Sequence, residues 1–93
     1  MHATIRNYAG GRALADALNE NKDAIRDLLT GIDGFRAYYV VRDEDGATTI
    51  SVFDDEAGAL ESTRVAAEWV AENLGDLGLA PPQVMTGEVA FSF

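Results

Sequence analysis

The chain contains no cysteine. Disulfides and thiol catalysis are therefore excluded. Basic residues are scarce, seven against sixteen acidic ones, for a net charge of −9. Phosphate repels such a surface, which argues against a nucleic-acid partner and an anionic membrane. No apolar run approaches the roughly 20 residues that span a bilayer. The opening MHATIRNYAGG lacks the basic region and apolar run of a signal peptide. A soluble cytoplasmic protein is expected. A phosphate loop is missing too: Gly10-Gly11 precedes a helical stretch, but without the Lys-Ser/Thr pair that such a loop needs. No nucleophile elbow occurs. Asp43, Glu44 and Asp45 before Gly46 do not complete a calcium loop, because the third Asp and the distal Glu are absent. They read as a solvated turn. Asp54, Asp55 and Glu56 read as helix capping, so no metal site is expected.

What is present is a globular chain, 47% hydrophobic over 93 residues. That length makes one domain, residues 1–93, and buries only about 60–65% of the surface its unfolded form exposes. A partner subunit would add much to so small a core.

Two strand-then-helix units fill the chain. His2 to Tyr8 alternates, with Ala3, Ile5 and Asn7 on one face and His2, Thr4, Arg6 and Tyr8 on the other. Arg12 to Leu29 is helical, with Leu14, Leu18, Ile25, Leu28 and Leu29 on one stripe. Asn19-Glu20-Asn21 is a weak helical patch and a place for a kink. Gly31 is placed as a left-handed cap. Phe35 to Arg42 is the second strand, and Asp43 to Gly46 the hairpin turn. Ala47 to Phe53 is the third strand, rich in β-branched residues. Asp54 or Asp55 caps a second helix that runs to about Leu74. Gly75 to Gln83 is a loop stiffened by Pro81-Pro82. Val84 to Phe93 is the last strand, with Gly87 marking a bulge or bend. The fold class is α+β, a ferredoxin-like β-α-β-β-α-β domain with a four-stranded antiparallel sheet.

Two helices cover one face of such a sheet. The more apolar sets, Ala3/Ile5, Phe35/Ala37/Tyr39/Val41 and Ile50/Val52, are assigned to the helix side. The other face, with Tyr8, Tyr38, Val40 and Phe53 among Thr4, Arg6, Thr49 and Ser51, is assigned to a homodimer contact.

Three stretches carry a family resemblance: Gly-Phe-x-x-Tyr at Gly34 to Tyr38, Ser51-Val52-Phe53-Asp54 entering the second helix, and Ala59, Ser62, Ala66 and Trp69 at helical spacing. With the short first strand, they make the chain resemble the antibiotic biosynthesis monooxygenase-like proteins over nearly its whole length. The resemblance implies a dimeric α+β barrel. It also implies a choice among cofactor-free oxygenases of phenols and quinols, haem-degrading enzymes and members with no known activity. The haem-degrading branch uses an Asn on the first strand and a Trp and a His on the second helix. Asn7 matches the Asn. Ser62 stands at the Trp position and Glu72 at the His position, so the resemblance implies no haem and no other cofactor.

The candidate residues have two readings each. Trp69 borders the second helix with Ser62, Ala66 and Asn73; that border either walls a helix–sheet cleft or closes the edge of the core. Asn7 either holds a substrate oxygen in the cleft or bonds the turn that follows its strand. Tyr39 either lines the cleft or simply packs. On the catalytic reading, Asn7 and Trp69 do the chemistry while Tyr39, Ser62, Ala66 and Asn73 bind substrate. Three functions fit: a cofactor-independent monooxygenase of a small phenol or quinol, a non-catalytic dimer that binds a small apolar or aromatic ligand, and a structural module with a filled core.

Overall fold

The computed structural model describes residues 1–9, 12–44, 46–78 and 80–93, with Arg12 described by its backbone. In chain order the elements are β1 (His2–Ala9), α1 (Arg12–Glu20), α2 (Lys22–Thr30), β2 (Phe35–Arg42), β3 (Gly46–Phe53), α3 (Glu56–Leu74), a 3₁₀ turn (Gly75–Leu77) and β4 (Gln83–Glu88). The strands form one four-stranded sheet in the order β2-β3-β1-β4, with every neighbouring pair antiparallel. This is the ferredoxin-like α+β arrangement that the alternating segments predict.

Local chemistry accounts for the boundaries. The weak helical patch breaks the first helix at Asn21, where φ is −111° and ψ 21°. Its side-chain Nδ2 donates back to the Ala17 carbonyl at 2.8 Å. Asp55 is the cap of α3: its Oδ1 accepts from the Gly58 amide at 3.0 Å. Gly58 lets α3 approach the sheet. A Cβ there would stand 2.9 Å from Phe53 Cδ1 and 3.0 Å from the Asp33 carbonyl.

Three boundary expectations need correction. Gly31 is right-handed, at φ −76°; the left-handed residue is Gly34, at φ 81°. There the chain must turn back so that the Asp54 amide can donate to the Gly34 carbonyl at 2.8 Å. The last strand ends at Glu88, opposite His2 at the start of β1, and beyond it the Val89 amide donates to the Met1 carbonyl at 2.9 Å. Gly87 pairs in register with Ala3, without a bulge. Gly10 and Gly11 before the first helix, and Asp45 within the hairpin turn, lie outside the described residues.

The assignment of the sheet faces also needs correction. The helices pack on the face that carries Thr4, Arg6, Tyr8, Thr49, Ser51 and Phe53, and the more apolar face is left open. The helices supply the grease themselves: Leu14, Leu18, Ile25 and Leu29 form the buried cluster, joined by Tyr8, Phe35, Tyr38 and Trp69. The sheet's polar groups can therefore sit beneath them, provided each finds a partner. They do. Among the described residues no buried side-chain nitrogen or oxygen lacks one. Phe35 departs from the alternation of its strand. One extra residue, Arg36, interrupts the register between Phe35↔Phe53 and Ala37↔Val52. Phe35 thus turns to the helix side and meets Phe53 edge-on, with ring centroids 5.7 Å apart.

Candidate functional site

The site is built around Arg6, a central-strand residue on the helix side of β1. Its cross-strand neighbours are Thr49 on β3 and Val84 on β4. It is only 4% exposed. Nη2 donates to Thr63 Oγ1 at 2.7 Å and Nη1 to Ser51 Oγ at 3.4 Å. The Thr63 hydroxyl in turn donates to the Ala59 carbonyl at 3.1 Å. Arg6 forms no ion pair among the described residues, whereas Arg26, Arg36, Arg42 and Arg64 each have a carboxylate partner. Two hydroxyl contacts leave some of the five guanidinium N–H donors unused. A buried cation without a counter-ion costs stability, which makes Arg6 the feature that calls for a function.

Tyr8 and Tyr38 flank it. Burial raises the pKa of both phenols, with the Arg6 charge pulling the other way. The Tyr38 hydroxyl is hydrogen-bonded to Thr49. Burial likewise lowers the Arg6 pKa, opposed by the two phenols. Both tyrosines are neutral hydrogen-bond donors at physiological pH, beside a fixed positive charge.

Three spaces adjoin this group. An inner cavity of about 30 Å³ lies between the helices and the sheet, lined in part by Arg6, Tyr8, Tyr38, Ala66 and Trp69. It is sized for a water molecule or two. An outer cleft of about 420 Å³ shares Arg6, Tyr8 and Val70 with it and opens between α3, β4 and the segment from Gly75 to Pro82. Its other walls include Ala67, Leu74 and Val84, so Arg6 is its one charged lining residue among those described. A groove of about 700 Å³ lies on the far side of Tyr38, between α1, α2 and β2. No carboxylate or imidazole lines any of the three among the described residues. Nor do three or more His, Asp or Glu side chains gather anywhere among them to hold a metal ion.

The structure brings together only part of the expected set. Trp69 and Ala66 face the inner cavity, as the helical phase of α3 predicts. Asn7 does not: it is exposed on the open face, and its Nδ2 donates to Thr48 Oγ1 at 2.9 Å. Tyr39 is on the same open face and 57% exposed. Ser62 is buried, but its hydroxyl is committed to the Ala59 carbonyl at 2.7 Å. Asn73 is exposed, with its amide on the Trp69 carbonyl at 2.9 Å. Arg6, Tyr8 and Tyr38 were not among the expected site residues because their strand face was assigned to a subunit contact; Thr63 is on α3 and joins them only through its contact with Arg6. An arginine at mid-strand, in a chain with so few bases, was the available signal.

Fold comparison gives this arrangement a context. The chain superposes on a monooxygenase of Streptomyces coelicolor in complex with nanaomycin D, with a TM-score of 0.69, 15% identity, and 99% of this chain and 88% of that one covered. It matches a protein of Nitrosomonas europaea, provisionally named an antibiotic biosynthesis monooxygenase, with a TM-score of 0.71, 12% identity, and coverage of 98% and 100%. It also matches a variant of MhuD holding two manganese protoporphyrin IX groups per active site, with a TM-score of 0.73, 10% identity, and coverage of 100% and 98%. The residues here do not fit a haem bound through an imidazole. The single histidine, His2, lines none of the three spaces, and Glu72 on α3 is exposed. No family model and no curated protein sequence matches the chain. At these identities the likeness is one of fold, and the fold is that of the antibiotic biosynthesis monooxygenase-like proteins.

Proposed function

We propose that the protein binds a small aromatic molecule in the helix–sheet cleft and oxygenates it as a cofactor-independent monooxygenase, the substrate being a phenol or quinol. The observation that carries this reading is Arg6, a buried guanidinium with no carboxylate partner among the described residues, at the floor of an apolar cleft. In a low-dielectric site a fixed cation lowers the pKa of a bound phenol and stabilises its anion. Tyr8 donates a hydrogen bond and orients the ring; Ala67, Val70 and Leu74 wall it in, while Tyr38, Ala66 and Trp69 back Arg6 from the inner cavity. No carboxylate or imidazole lines the cleft among the described residues; on this reading the proton passes to water, and the substrate's own acidity, sharpened by Arg6, does the work. With an anthrone, the ring CH₂ becomes C=O. One oxygen of O₂ enters the product, and the other leaves as water with the two hydrogens. The substrate supplies all four electrons.

The test is oxygen uptake with an anthrone and hydroquinone panel. Arg6→Met is expected to cut kcat/KM by about 100-fold or more, on the scale of losing one oxyanion donor. Trp69→Phe, at the inner cavity behind Arg6, is expected to cost less. Turnover unchanged in Arg6→Met rejects the reading. The lack of a lining general base favours a second one, binding without turnover; a ligand that raises Tm with no oxygen consumed supports it.

The protein is also proposed to act as a homodimer, its two sheets facing each other. Tyr39, Val41 and Met85 stand exposed on the open face beside Ile5, Ile50 and Val52. The aromatic set first assigned to that contact lies under the helices instead.

A further inference from the structure

We propose that the groove between α1, α2 and β2 is a second binding site, made for an amphipathic carboxylate: an apolar chain or ring that ends in an ionised acid. The groove measures about 700 Å³, within the usual range of small-molecule sites of about 300–1,000 Å³. Its floor is apolar, with Leu18, Ile25 and Leu29 from the helices and Phe35 and Val40 from β2. Val40 stays 39% exposed there, because the helices stand off the edge strand. An apolar surface of this kind gains from being covered.

The rim has the opposite chemistry. Lys22, Arg26 and Arg42 line the groove. These are three of the seven basic residues of a chain whose net charge is −9. No acidic residue lines it among those described. Lys22 and Arg26 are four apart on α2 and so share a helix face; Arg42 faces them from β2. Lys22 forms no ion pair among the described residues. The ion pairs of the other two are on the surface, Arg26 with Asp23 at 3.5 Å and Arg42 with Asp16 at 2.8 Å, both between largely solvent-exposed side chains. Exposed pairs of this sort hold little energy, and a ligand acid can replace their aspartates. A positive rim around a greasy floor, on an otherwise acidic molecule, selects an apolar anion and rejects apolar cations. The groove lies on the helix side, so sheet-to-sheet pairing leaves it open. Tyr38 separates it from the inner cavity, so its occupant does not reach Arg6.

Calorimetric titration of the whole protein with decanoate, and with the neutral decanamide, tests the assignment. Decanoate should bind saturably, and more weakly as ionic strength rises. The exposed double change Lys22→Gln/Arg26→Gln should weaken decanoate by about tenfold, the sum of two modest charge contacts, and leave decanamide unchanged. Tm measured alongside verifies that the variant is folded. Three results would overturn the proposal: no saturable binding of decanoate, equal affinity in wild type and double variant, or loss of decanoate binding in Arg6→Met, which would put the acid in the other cleft.

Discussion

The two faces of the sheet differ in a direction that hydrophobicity alone would not suggest. The face under the helices carries Thr4, Arg6, Tyr8, Thr49 and Ser51; the open face carries Ala3, Ile5, Ile50, Val52, Tyr39 and Val41. Helices bring their own leucines and isoleucine, so the covered face needs only Phe53 and Phe35 as apolar anchors. The rest of that face is free for polar groups that bond one another. The open face has no such supply. Its apolar residues have value only against another surface, which is why the proposed pairing of copies belongs there.

The sharpest way to break this comparison is to remove an anchor. Phe53 is fully buried. Phe53→Ala should cost about 3–5 kcal/mol, read as a lower urea midpoint that does not depend on protein concentration. If that loss is small, the helix side is not the core. A charge on the other face should behave differently. Ile50→Asp should leave subunit stability within about 1 kcal/mol but weaken association by about 30-fold or more, as for a change at an interface centre. Sedimentation equilibrium measures it. A wild-type chain that is already monomeric at micromolar concentration removes the pairing altogether. The smallest effect concerns pH. Burial raises the pKa of Tyr38 and Tyr8 above the ordinary 10.0, against the pull of Arg6. The unfolded chain therefore ionises first, so the stability held below pH 10.0 is lost as pH rises towards the folded values. Tyr38→Phe should flatten the alkaline limb of a stability–pH curve and leave the neutral region nearly unchanged in slope.

Much of the architecture was legible in the residues. Period-two stretches, Asp55 before a helical run, and the weak Asn19-Glu20-Asn21 patch all led to elements that the structure contains. Trp69 and Ala66 reached the inner cavity because helical phase is set by the helix itself. Asn7 and Tyr39 did not, for a different reason. Alternation says which residues share a face but not which face the helices will cover. Judging that by apolar content inverted every strand residue of the candidate site at once. The burial of Arg6 was not legible either, since it depends on Thr63, more than fifty positions later, reaching its guanidinium.

The insertion at Arg36 has a consequence for how β2 reads along its length. Everything after it, from Ala37 to Val41, keeps one parity; Phe35, before it, has the other. The clasp that fixes this slip is local: Gly34 accepts from the Asp54 amide, and the Asp54 carboxylate holds the Arg36 side chain. One residue thus acts as a phase switch, letting a single eight-residue strand serve the core at its start and the outer surface farther on. Straightening the bulge, with Arg36 taken into the regular ladder, would bring Phe35 into step with Ala37 and Tyr39, strip Phe53 of its ring partner, and add an aromatic to the side that already has too much apolar surface.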